Sequence, residues 1–433
     1  MLRKVLLTST VLALTSVIAP AAGKDSGSVT VLHTFNGQDG AFPTAGLSAD
    51  AAGKLYGTTQ TDGAYDSGTV FQLSPTSDGG VRFSLLYVFT GGTDGGSPLG
   101  TLIFDPQGNG YGTASSGGAN GQGVVYKLTP PGSGTQWNET VLYSFQGGSD
   151  GELPFGEVVF DAAGNLYGTT SRGGVTHLGC FQSGCGTIYE LSPTANGPWQ
   201  ETVLHRFSDS NGEGAEPRAG LVFDAAGNLY GTTNSGGNNS VGACNTIDSD
   251  GCGTVFELMP GSQNQWQLVT LVDFNFTDGG LPRAGVTLDG KGDLFGATTI
   301  GGALNGGTVF SLTQNSGRWS AGSQFSLPPR SQPSGNLALD NAGNLYGTTY
   351  QGGANESGSV FQLVPNGNGW TEHVLYNFNV TGQRTGENPF DGVLIYHDAL
   401  LLTTTQGGNL NDCSPNPGCG TVIGLSGATP PAP

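Results

Sequence analysis

Residues 161–170 read Asp-Ala-Ala-Gly-Asn-Leu-Tyr-Gly-Thr-Thr, and this pattern returns along the whole chain. Its Tyr-Gly pair, or a variant of it, starts at seven positions, which are Tyr56, Tyr111, Tyr167, Tyr230, Phe295, Tyr346 and a degenerate Leu401. A second landmark, Gly-Thr-Val-Phe-x-Leu and its variants, begins at Gly68, Gly123, Gly186, Gly253, Gly307, Gly358 and Gly420. Both landmarks therefore indicate seven tandem repeats.

Each repeat contains four short segments rich in β-branched and aromatic residues, separated by Gly, Asn, Asp and Pro, as expected of strands and tight turns. In the fourth copy the strands are predicted at Ala219 to Asp224, Asn228 to Thr233, Gly253 to Leu258 and Leu268 to Phe274. Repeats of this size predict an all-β fold, a seven-bladed β-propeller of four-stranded antiparallel blades. We interpret the Gly after each Tyr, which is unfavourable inside a strand, as a response to crowding near the propeller axis.

The two ends of the chain indicate how the ring closes. A single strand, Val31 to Phe35, precedes the first repeat, and the last repeat ends after Gly420 to Leu425 without a fourth strand of its own. We expect the N-terminal strand to join the C-terminal blade, which removes two exposed sheet edges. An open β-solenoid is the alternative, but its coils are usually shorter and do not need four antiparallel strands.

The first residues predict export. Arg3 and Lys4 precede the mostly apolar stretch Val5 to Ile18 and then small residues, which is typical of a secretory signal. That stretch is shorter than the ~20 residues that cross a bilayer. We therefore predict a signal peptide at 1–23, a single propeller domain at 24–427 and a Pro/Ala-rich tail at 428–433, in a secreted extracellular or periplasmic protein without a membrane span after cleavage.

The acidic composition restricts the partners. The chain has 14 basic and 33 acidic residues, a formal charge of −19. Such a surface repels phosphate backbones and anionic lipids, so nucleic acid is not an expected partner. We expect a monomer that binds an extracellular protein or glycan.

The six cysteines all fall in loops between second and third strands, as Cys180/Cys185, Cys244/Cys252 and Cys413/Cys419. Export, an even number and close spacing predict three short disulfides. A zinc site shared by two blades is the alternative, although no tight Cys-x-x-Cys pair is present.

The stretch 161–170, together with Gly-Thr-Ile-Tyr-Glu-Leu at 186–191, resembles the GloVer tandem-repeat family of exported bacterial proteins. The resemblance covers essentially the whole mature chain. It implies an extracellular repeat protein and carries over no catalytic residue. Members of this choice-of-anchor family often have a C-terminal sorting anchor, but residues 427–433 have neither an apolar helix nor a basic tail, so we expect no anchor here.

Arginines are concentrated on one face of the predicted propeller, the top face, which carries the fourth-to-first and second-to-third loops. Five arginines fall in these loops, namely Arg172, Arg218, Arg283, Arg330 and Arg384. Arg218 and Arg283 share the register Pro-Arg-Ala-Gly, immediately before an innermost strand, and are expected near the mouth of the central channel. Two adjacent guanidinium groups suit a carboxylate or sulfate of an acidic glycan. Pairing with acidic neighbours such as Glu216 and Asp278 is nevertheless the favoured explanation of these arginines.

Metal-binding and catalytic signals are weak. The top loops contain Asp39, Asp94, Asp150 and Asp278, where Asp-Gly turns are favoured over calcium ligands. Asp248 and Asp250 are weak calcium candidates because the remaining ligands of a calcium loop are missing. We expect no cofactor, with calcium as the open alternative, and no catalytic residue, because the positions near the axis look repeat-like. The five tryptophans are interpreted as packing between blades rather than as sugar-stacking residues.

These observations favour a secreted non-catalytic propeller that acts as a scaffold or binds an extracellular protein or glycan. Two alternatives remain open. One is a secreted polysaccharide lyase or hydrolase that uses the channel on the top face, and the other is a calcium-stabilised adhesion module.

Overall fold

The computed structural model describes residues 28–427 except 177–179, 181–182, 196, 209–211, 239–243, 245–250, 263–264, 316, 368, 379–384, 410–412 and 414–417. The predicted signal peptide and tail lie outside the described residues. The described residues form seven antiparallel sheets, one per repeat, arranged as the blades of a propeller. Within this part of the chain, no helix has the length and apolar character needed to cross a membrane.

The first strand, β1 (Ser28–Thr34), precedes the first blade. Blade 1 contains β2 (Ser48–Ala49), β3 (Leu55–Thr59), β4 (Thr69–Pro75) and β5 (Val81–Val88). Blade 2 contains an additional short strand, β6 (Gly96–Pro98), and then β7 (Ile103–Phe104), β8 (Gly110–Ser116), β9 (Val124–Thr129) and β10 (Asn138–Ser144). Blade 3 contains β11 (Val159–Phe160), β12 (Leu166–Thr170), β13 (Thr187–Ser192) and β14 (Gln200–Arg206).

The remaining blades repeat this order from the innermost strand to the outermost. Blade 4 contains β15 (Val222–Phe223), β16 (Leu229–Thr233), β17 (Thr254–Met259) and β18 (Gln267–Asp273). Blade 5 contains β19 (Thr287–Leu288), β20 (Leu294–Thr298), β21 (Thr308–Asn315) and β22 (Arg318–Ser326). Blade 6 contains β23 (Ala338–Leu339), β24 (Leu345–Thr349), β25 (Ser359–Pro365) and β26 (Trp370–Asn377). Blade 7 contains β27 (Leu394–Tyr396), β28 (Ala399–Thr404) and β29 (Thr421–Ser426).

The predicted ring closure is confirmed. β1 pairs antiparallel with β29, in a register that places Ser28 opposite Ser426 and Thr34 opposite Thr421. The first strand of the chain thus becomes the outermost strand of blade 7. The two sheet edges that would otherwise remain open are paired with each other.

The innermost strands are shorter than predicted. In blade 4 the strand expected at Ala219 to Asp224 comprises only Val222–Phe223. The preceding segment leaves the sheet and bonds to the neighbouring blade instead, since Thr169 of blade 3 donates its hydroxyl to the Ala219 carbonyl at 2.8 Å. The part of each innermost segment that precedes the short strand therefore contacts the neighbouring blade instead of pairing within its own sheet.

The glycine after each Tyr has a different cause from the one predicted. Gly231 lies opposite Phe256 in the pairing of β16 with β17, and a Cβ on Gly231 would lie 2.6 Å from Phe256 Cζ. The equivalent Gly347 lies under Phe361 in the same way. An aromatic ring of the third strand, rather than crowding at the axis, excludes a side chain there.

The blades meet through one backbone contact that occurs at all seven junctions. A residue on the innermost segment donates its N–H to a carbonyl of the preceding blade, at 2.8–3.0 Å. The seven donor–acceptor pairs are Phe42–Cys419, Ser97–Ser67, Leu153–Gln122, Glu216–Cys185, Leu281–Cys252, Gln332–Gly306 and Asn388–Ser357. Every donor has a φ between 51° and 57°, in the left-handed region that side chains disfavour.

A proline follows each donor and completes the junction. Pro217, next to Glu216, packs on Gly186, which has a φ of 99° and directly follows the acceptor Cys185. A Cβ on Gly186 would lie 2.6 Å from Pro217 Cδ. Glycine is required there both by the backbone angle and by the close approach of the next blade.

The hydrophobic core is divided among the interfaces between neighbouring blades. Tyr56 and Val70 of blade 1 pack with Leu102 and Tyr126 of blade 2, and equivalent clusters fill the other interfaces. Each tryptophan ring approaches an aromatic ring of the preceding blade, in the pairs Trp137–Tyr56, Trp199–Tyr111, Trp266–Tyr167, Trp319–Tyr230 and Trp370–Phe295. The interpretation of the tryptophans as packing between blades is confirmed.

The three predicted disulfides are also confirmed, as Cys180–Cys185, Cys244–Cys252 and Cys413–Cys419. Their Cα–Cα distances are 5.2, 5.0 and 5.4 Å, within the range of ordinary disulfides. Three disulfides indicate an oxidising compartment.

Buried threonine hydroxyls add a second link between blades, and they allow a matched test. Thr403 of blade 7 donates to the Ala45 carbonyl of blade 1 at 3.0 Å. Thr58, at the same register in blade 1, is equally buried, but its hydroxyl has no partner among the described residues. We expect Thr403→Val to lower the free energy of unfolding by about 1 kcal/mol because it leaves a buried carbonyl unpaired. Thr58→Val should leave it unchanged or raise it slightly.

Denaturant unfolding of the two variants beside the parent protein measures the difference. Both substitutions replace a hydroxyl by a methyl group on the second strand of a blade. Any change in β-strand propensity is therefore the same in the two variants and cancels in the comparison. Equal losses in the two variants would show that the hydroxyl contact between blades contributes nothing.

Candidate functional site

The mouth of the propeller is formed by the residue that directly follows the junction proline in each blade. We use the term "mouth" for these seven positions, which are Thr44, Leu99, Phe155, Arg218, Arg283, Ser334 and Phe390. The junctions place them at equivalent points around the axis on the top face. Blades 4 to 6 contribute charged and polar side chains, whereas blades 2, 3 and 7 contribute apolar ones.

Arg218 is held by a buried carboxylate. Its Nη2 lies 3.1 Å from Glu216 Oε2, and the Glu216 side chain is only 2% exposed. The guanidinium also lies over the Phe155 ring, 5.9 Å from the centroid, in a cation–π contact. The predicted pairing of Arg218 with Glu216 is therefore present, and it fixes one arginine of the mouth in position.

Arg283 differs, because it makes no ion pair with any residue in the described part of the chain, Asp278 included. Its side chain reaches solvent at the mouth although loops crowd around it. This crowding, and then the positive charge of Arg218, lower the pKa of the Arg283 guanidinium, while nearby Tyr350 acts in the opposite direction. The structure thus brings Arg218 and Arg283 together. The charge of Arg218 is neutralised by Glu216, whereas that of Arg283 is not neutralised by any described residue.

The other predicted arginines are not placed at the mouth by any contact found in the structure. Arg330 lies on an exposed loop, where its Nη1 is 3.5 Å from Glu356 Oε2. Arg172 lies in the second-to-third loop of blade 3, where its backbone pairs with that of Glu152. Arg384 lies outside the described residues.

Tyr350 was not predicted from the sequence. It follows the Thr-Thr pair of blade 6, where other blades have small or polar residues such as Ser171 and Asn234. Its ring meets Phe390 edge to face, with 5.8 Å between centroids. The signal in the sequence was a large aromatic residue at a register that is otherwise small or polar.

Three side chains lie on the axis below the mouth, and we refer to Glu157, Asn336 and Asp391 as the floor. Asn336 Nδ2 of blade 6 donates to Glu157 Oε1 of blade 3 at 3.2 Å. Gly285 N donates to Asn336 Oδ1 at 2.8 Å, which fixes the orientation of that amide. The bond therefore joins blades that are separated by two others.

Asp391 accepts backbone amides from three blades. Its Oδ2 accepts from Gly46 N of blade 1 at 2.6 Å, and its Oδ1 accepts from its neighbour Gly392 N at 2.7 Å and from Asn336 N of blade 6 at 3.4 Å. Both carboxylate oxygens thus hold the axial segments in place. This arrangement gives Asp391 a structural role at the closure of the ring.

The floor carboxyls are held in an environment that disfavours charge. Desolvation on the crowded axis raises the pKa of Glu157, and the negative charge of Asp391 raises it further. Desolvation also raises the pKa of Asp391, against the lowering effect of its amide donors. These two carboxyls are the only acids of the described innermost segments at the axis level, between the junction proline and the buried aliphatic residue.

The axial positions are mostly repeat-like, as expected, but three blades depart from the glycine of the repeat at one register. The register of Glu157 contains Gly46, Thr101, Gly220, Gly285, Asn336 and Gly392 in the other blades. Glycines in blades 4 and 5 leave the space that the longer side chains of blades 3 and 6 fill, since a Cβ on Gly220 would lie 2.5 Å from Glu157 Cδ. The replacement of glycine by Glu157 and Asn336 at this register was the signal in the sequence that could have identified the floor.

The top-loop aspartates cap their own turns. Asp39, Asp94 and Asp278 accept the backbone N–H of residues three or four positions earlier, at 2.8–2.9 Å. Asp150 does the same with Gln146 N at 2.6 Å. Asp248 and Asp250 lie outside the described residues. Among the residues that are described, no group of three or more His, Cys, Asp or Glu is arranged to hold a metal ion.

The raised pKa of Glu157 predicts a pH-dependent effect of Glu157→Gln. A folded-state pKa above the unfolded value near 4.5 gives stability that is complete below about pH 4.5 and is lost as pH rises through the folded pKa. The glutamine variant keeps an acceptor for Asn336 and has no charge to desolvate. We expect it to be more stable than the parent at pH 7–8, with the difference vanishing towards pH 4.

Unfolding free energies measured between pH 4 and pH 8 test this prediction. Glu356→Gln is the matched control, because it removes one negative charge from a side chain that is 62% exposed. A Glu157→Gln effect that does not change with pH would contradict the assignment of a desolvated carboxyl at the axis.

Comparison with known proteins agrees with this architecture. The model of the Gloeobacter/Verrucomicrobia repeat matches residues 22–244 and 174–415. A comparison with curated proteins finds no match. Similar solved structures include a protein from Bacteroides uniformis provisionally assigned as a 6-phosphogluconolactonase, with a TM-score of 0.50 and 13% identity, covering 86% of this chain and 99% of that one.

A second similar structure is an ulvan lyase, a polysaccharide lyase bound to -[GlcA(1-4)Rha3S]-. Its TM-score is 0.50 at 12% identity, and the match covers 88% of this chain and 90% of that one. At such identities the two likenesses show the fold alone. The family model, in contrast, matches most of the sequence, and the chain therefore belongs to the Gloeobacter/Verrucomicrobia repeat family.

Proposed function

We propose that this chain is a secreted, non-catalytic propeller that binds an acidic glycan at its mouth. Arg218 and Arg283 receive a carboxylate or sulfate group of the saccharide. The apolar side of the mouth, which includes Phe155 and Phe390, packs against the sugar ring. The observation that carries the proposal is the unneutralised Arg283 guanidinium beside a second arginine at the axis.

Arg218 and Arg283 are adjacent cations that share a single anionic neighbour, Glu216, which pairs with Arg218 alone. This arrangement is unusual in a protein of formal charge −19. Acidic side chains are abundant, yet none in the described part of the chain pairs with Arg283. An anionic ligand would relieve the repulsion between the two guanidinium groups and would form charge-assisted, bidentate hydrogen bonds. This local gain must exceed the repulsion from the rest of the surface, which falls off over a Debye length of about 8 Å in physiological salt.

The aromatic residues of the mouth suit a saccharide better than a simple anion. Phe155 already lies against Arg218, and Tyr350 lies against Phe390, so the rings flank the arginine pair from blades 3, 6 and 7. Ligand sites generally combine apolar walls with a few polar groups that fix orientation. A sugar that has both an apolar ring face and a carboxylate or sulfate matches this combination.

Export supports the choice of an extracellular glycan. The N-terminal sequence has the pattern of a secretory signal, and the three disulfides fit an oxidising compartment. A secreted protein meets polysaccharides of walls, mucilages and matrices, many of which contain uronic acids or sulfates.

The second candidate is a polysaccharide lyase or hydrolase, and one observation favours it. Glu157 is a carboxyl whose pKa is raised, below two arginines that would bind a uronate, and such a group suits general acid catalysis. The ulvan lyase has a similar fold and binds a uronate-containing saccharide. Binding without turnover is nevertheless favoured, because both oxygens of the other axial acid, Asp391, are occupied by backbone amides.

The proposal predicts a specific effect of Arg283→Ala. Because Arg283 forms no ion pair in the described structure, its loss should not lower the free energy of unfolding and should relieve repulsion with Arg218. Binding to uronate-containing or sulfated saccharides should weaken by roughly 10- to 100-fold, the equivalent of one charge-assisted hydrogen-bonding group. A glycan array followed by calorimetry on the strongest saccharide measures both affinity and stability.

Arg82→Ala is the matched control, because Arg82 is an exposed arginine on the outermost strand of blade 1 and its removal changes the net charge equally. It should leave binding unchanged. Equal binding by the Arg283→Ala and parent proteins, or no binding to any acidic saccharide, would refute the proposed site. Release of unsaturated or reducing ends from uronic-acid polysaccharides would instead establish the enzyme.

A further inference from the structure

The innermost segments of neighbouring blades touch backbone to backbone below the mouth. A Cβ on Gly100 of blade 2 would lie 2.9 Å from Gly156 C of blade 3. A Cβ on Gly335 of blade 6 would overlap the backbone of Asp391 and Gly392 in blade 7. At this depth the backbones of neighbouring innermost segments are therefore so close that only glycine fits between them.

Side chains cross the space that the contracted ring leaves. Glu157 extends over Gly220 and hydrogen bonds with Asn336, which in turn is fixed over Gly285. These two glycines follow Arg218 and Arg283 by two residues in the same segments. The Glu157–Asn336 hydrogen bond thus passes directly beneath the arginine pair and closes the axis to a ligand entering from above.

The depth of the mouth follows from the same spacing. An extended chain advances about 3.3 Å per residue, so the floor lies at most about 7 Å below the arginine backbones. This depth accommodates one sugar ring. A polysaccharide cannot pass through the propeller along its axis.

Charge on the surrounding rim disfavours a chain that lies across the top face. The fourth-to-first loops of blades 1, 2, 3 and 5 carry Asp39, Asp94, Asp150 and Asp278 on the top face. These carboxylates lie outward from the mouth, since the first three also bond to His33, Tyr87 and Tyr143 of the outermost strands. The mouth itself contains the two arginines. A polyanion laid side-on would bring its outer carboxylates within a Debye length of these loops, whereas a chain end would place a single acidic unit at the arginines and leave the rest in solvent.

We infer that the mouth binds the terminal acidic sugar of a glycan chain and not an internal segment, an inference that rests on the proposed function. The closed floor limits the site to one sugar, and the acidic rim opposes a continuous polyanion. Arg283 and Arg218 bind the carboxylate of that end unit.

A length series of homo-oligouronides tests the inference, because every unit carries a carboxylate and only position differs. The probes are the dimer, tetramer and octamer of galacturonate together with polygalacturonate, and a parallel mannuronate series covers the other epimer. Isothermal titration calorimetry of the parent, Arg283→Ala and Arg82→Ala proteins gives affinity and stoichiometry. Terminal binding predicts one protein per chain at every length and a Kd per mole of chain that varies by less than about twofold.

The outcomes separate the inference from the proposal on which it rests. Arg283-dependent binding in which the number of proteins per chain rises with length would overturn terminal recognition and leave the acidic-glycan site intact. No Arg283-dependent binding at any length in either series would overturn the proposed function, and the inference with it. Arg283-dependent binding at constant stoichiometry supports both.

Discussion

The architecture depends on one backbone hydrogen bond repeated between every pair of neighbouring blades. At each junction a residue in the left-handed region donates its N–H to the carbonyl before the glycine of the Gly-Thr landmark, and the next residue is proline. Forcing seven side-chain-bearing residues into this region costs of order 1–2 kcal/mol each, so the contact must be maintained by the packing around it. Because the geometry is the same seven times, the residue after each proline arrives at an equivalent point around the axis, and the mouth results.

The disulfides lie at three of these junctions, where charge repulsion or the closure of the ring works against the contact between blades. Cys185, Cys252 and Cys419 supply the acceptor carbonyls of three junctions. Two of these junctions immediately precede Arg218 and Arg283, which repel each other, and the third joins blade 7 to blade 1, next to the pairing of β1 with β29 that closes the ring without a peptide bond. A short disulfide restricts the loop that carries the acceptor. The same covalent device thus supports both the arginine pair and the closure of the ring.

Features that follow from spacing that recurs in the sequence could be predicted, whereas features that depend on which side chains meet in the folded ring could not. The seven blades, the joining of β1 to blade 7 and the cysteine pairs followed from spacing that recurs in the sequence. The left-handed donors did not, since Phe42, Leu153 and Leu281 are unremarkable before proline, where extended backbone is usual. The role of the glycine after Tyr was misjudged because its partner ring lies on the third strand. Glu157, Asn336 and Asp391 were overlooked because their meeting depends on ring geometry, although each departs from the residue common at its register.

Native-state hydrogen exchange of the seven junction amides tests the central claim, that the ring is closed by seven equivalent contacts. The decisive amide is that of Phe42, whose acceptor Cys419 lies at the other end of the chain. The account predicts that Phe42 is protected as strongly as Leu153 and Leu281, because opening any junction requires opening the ring. Exchange of the Phe42 amide at the rate of an exposed loop, with the other six still protected, would contradict it and would show that blades 7 and 1 separate freely.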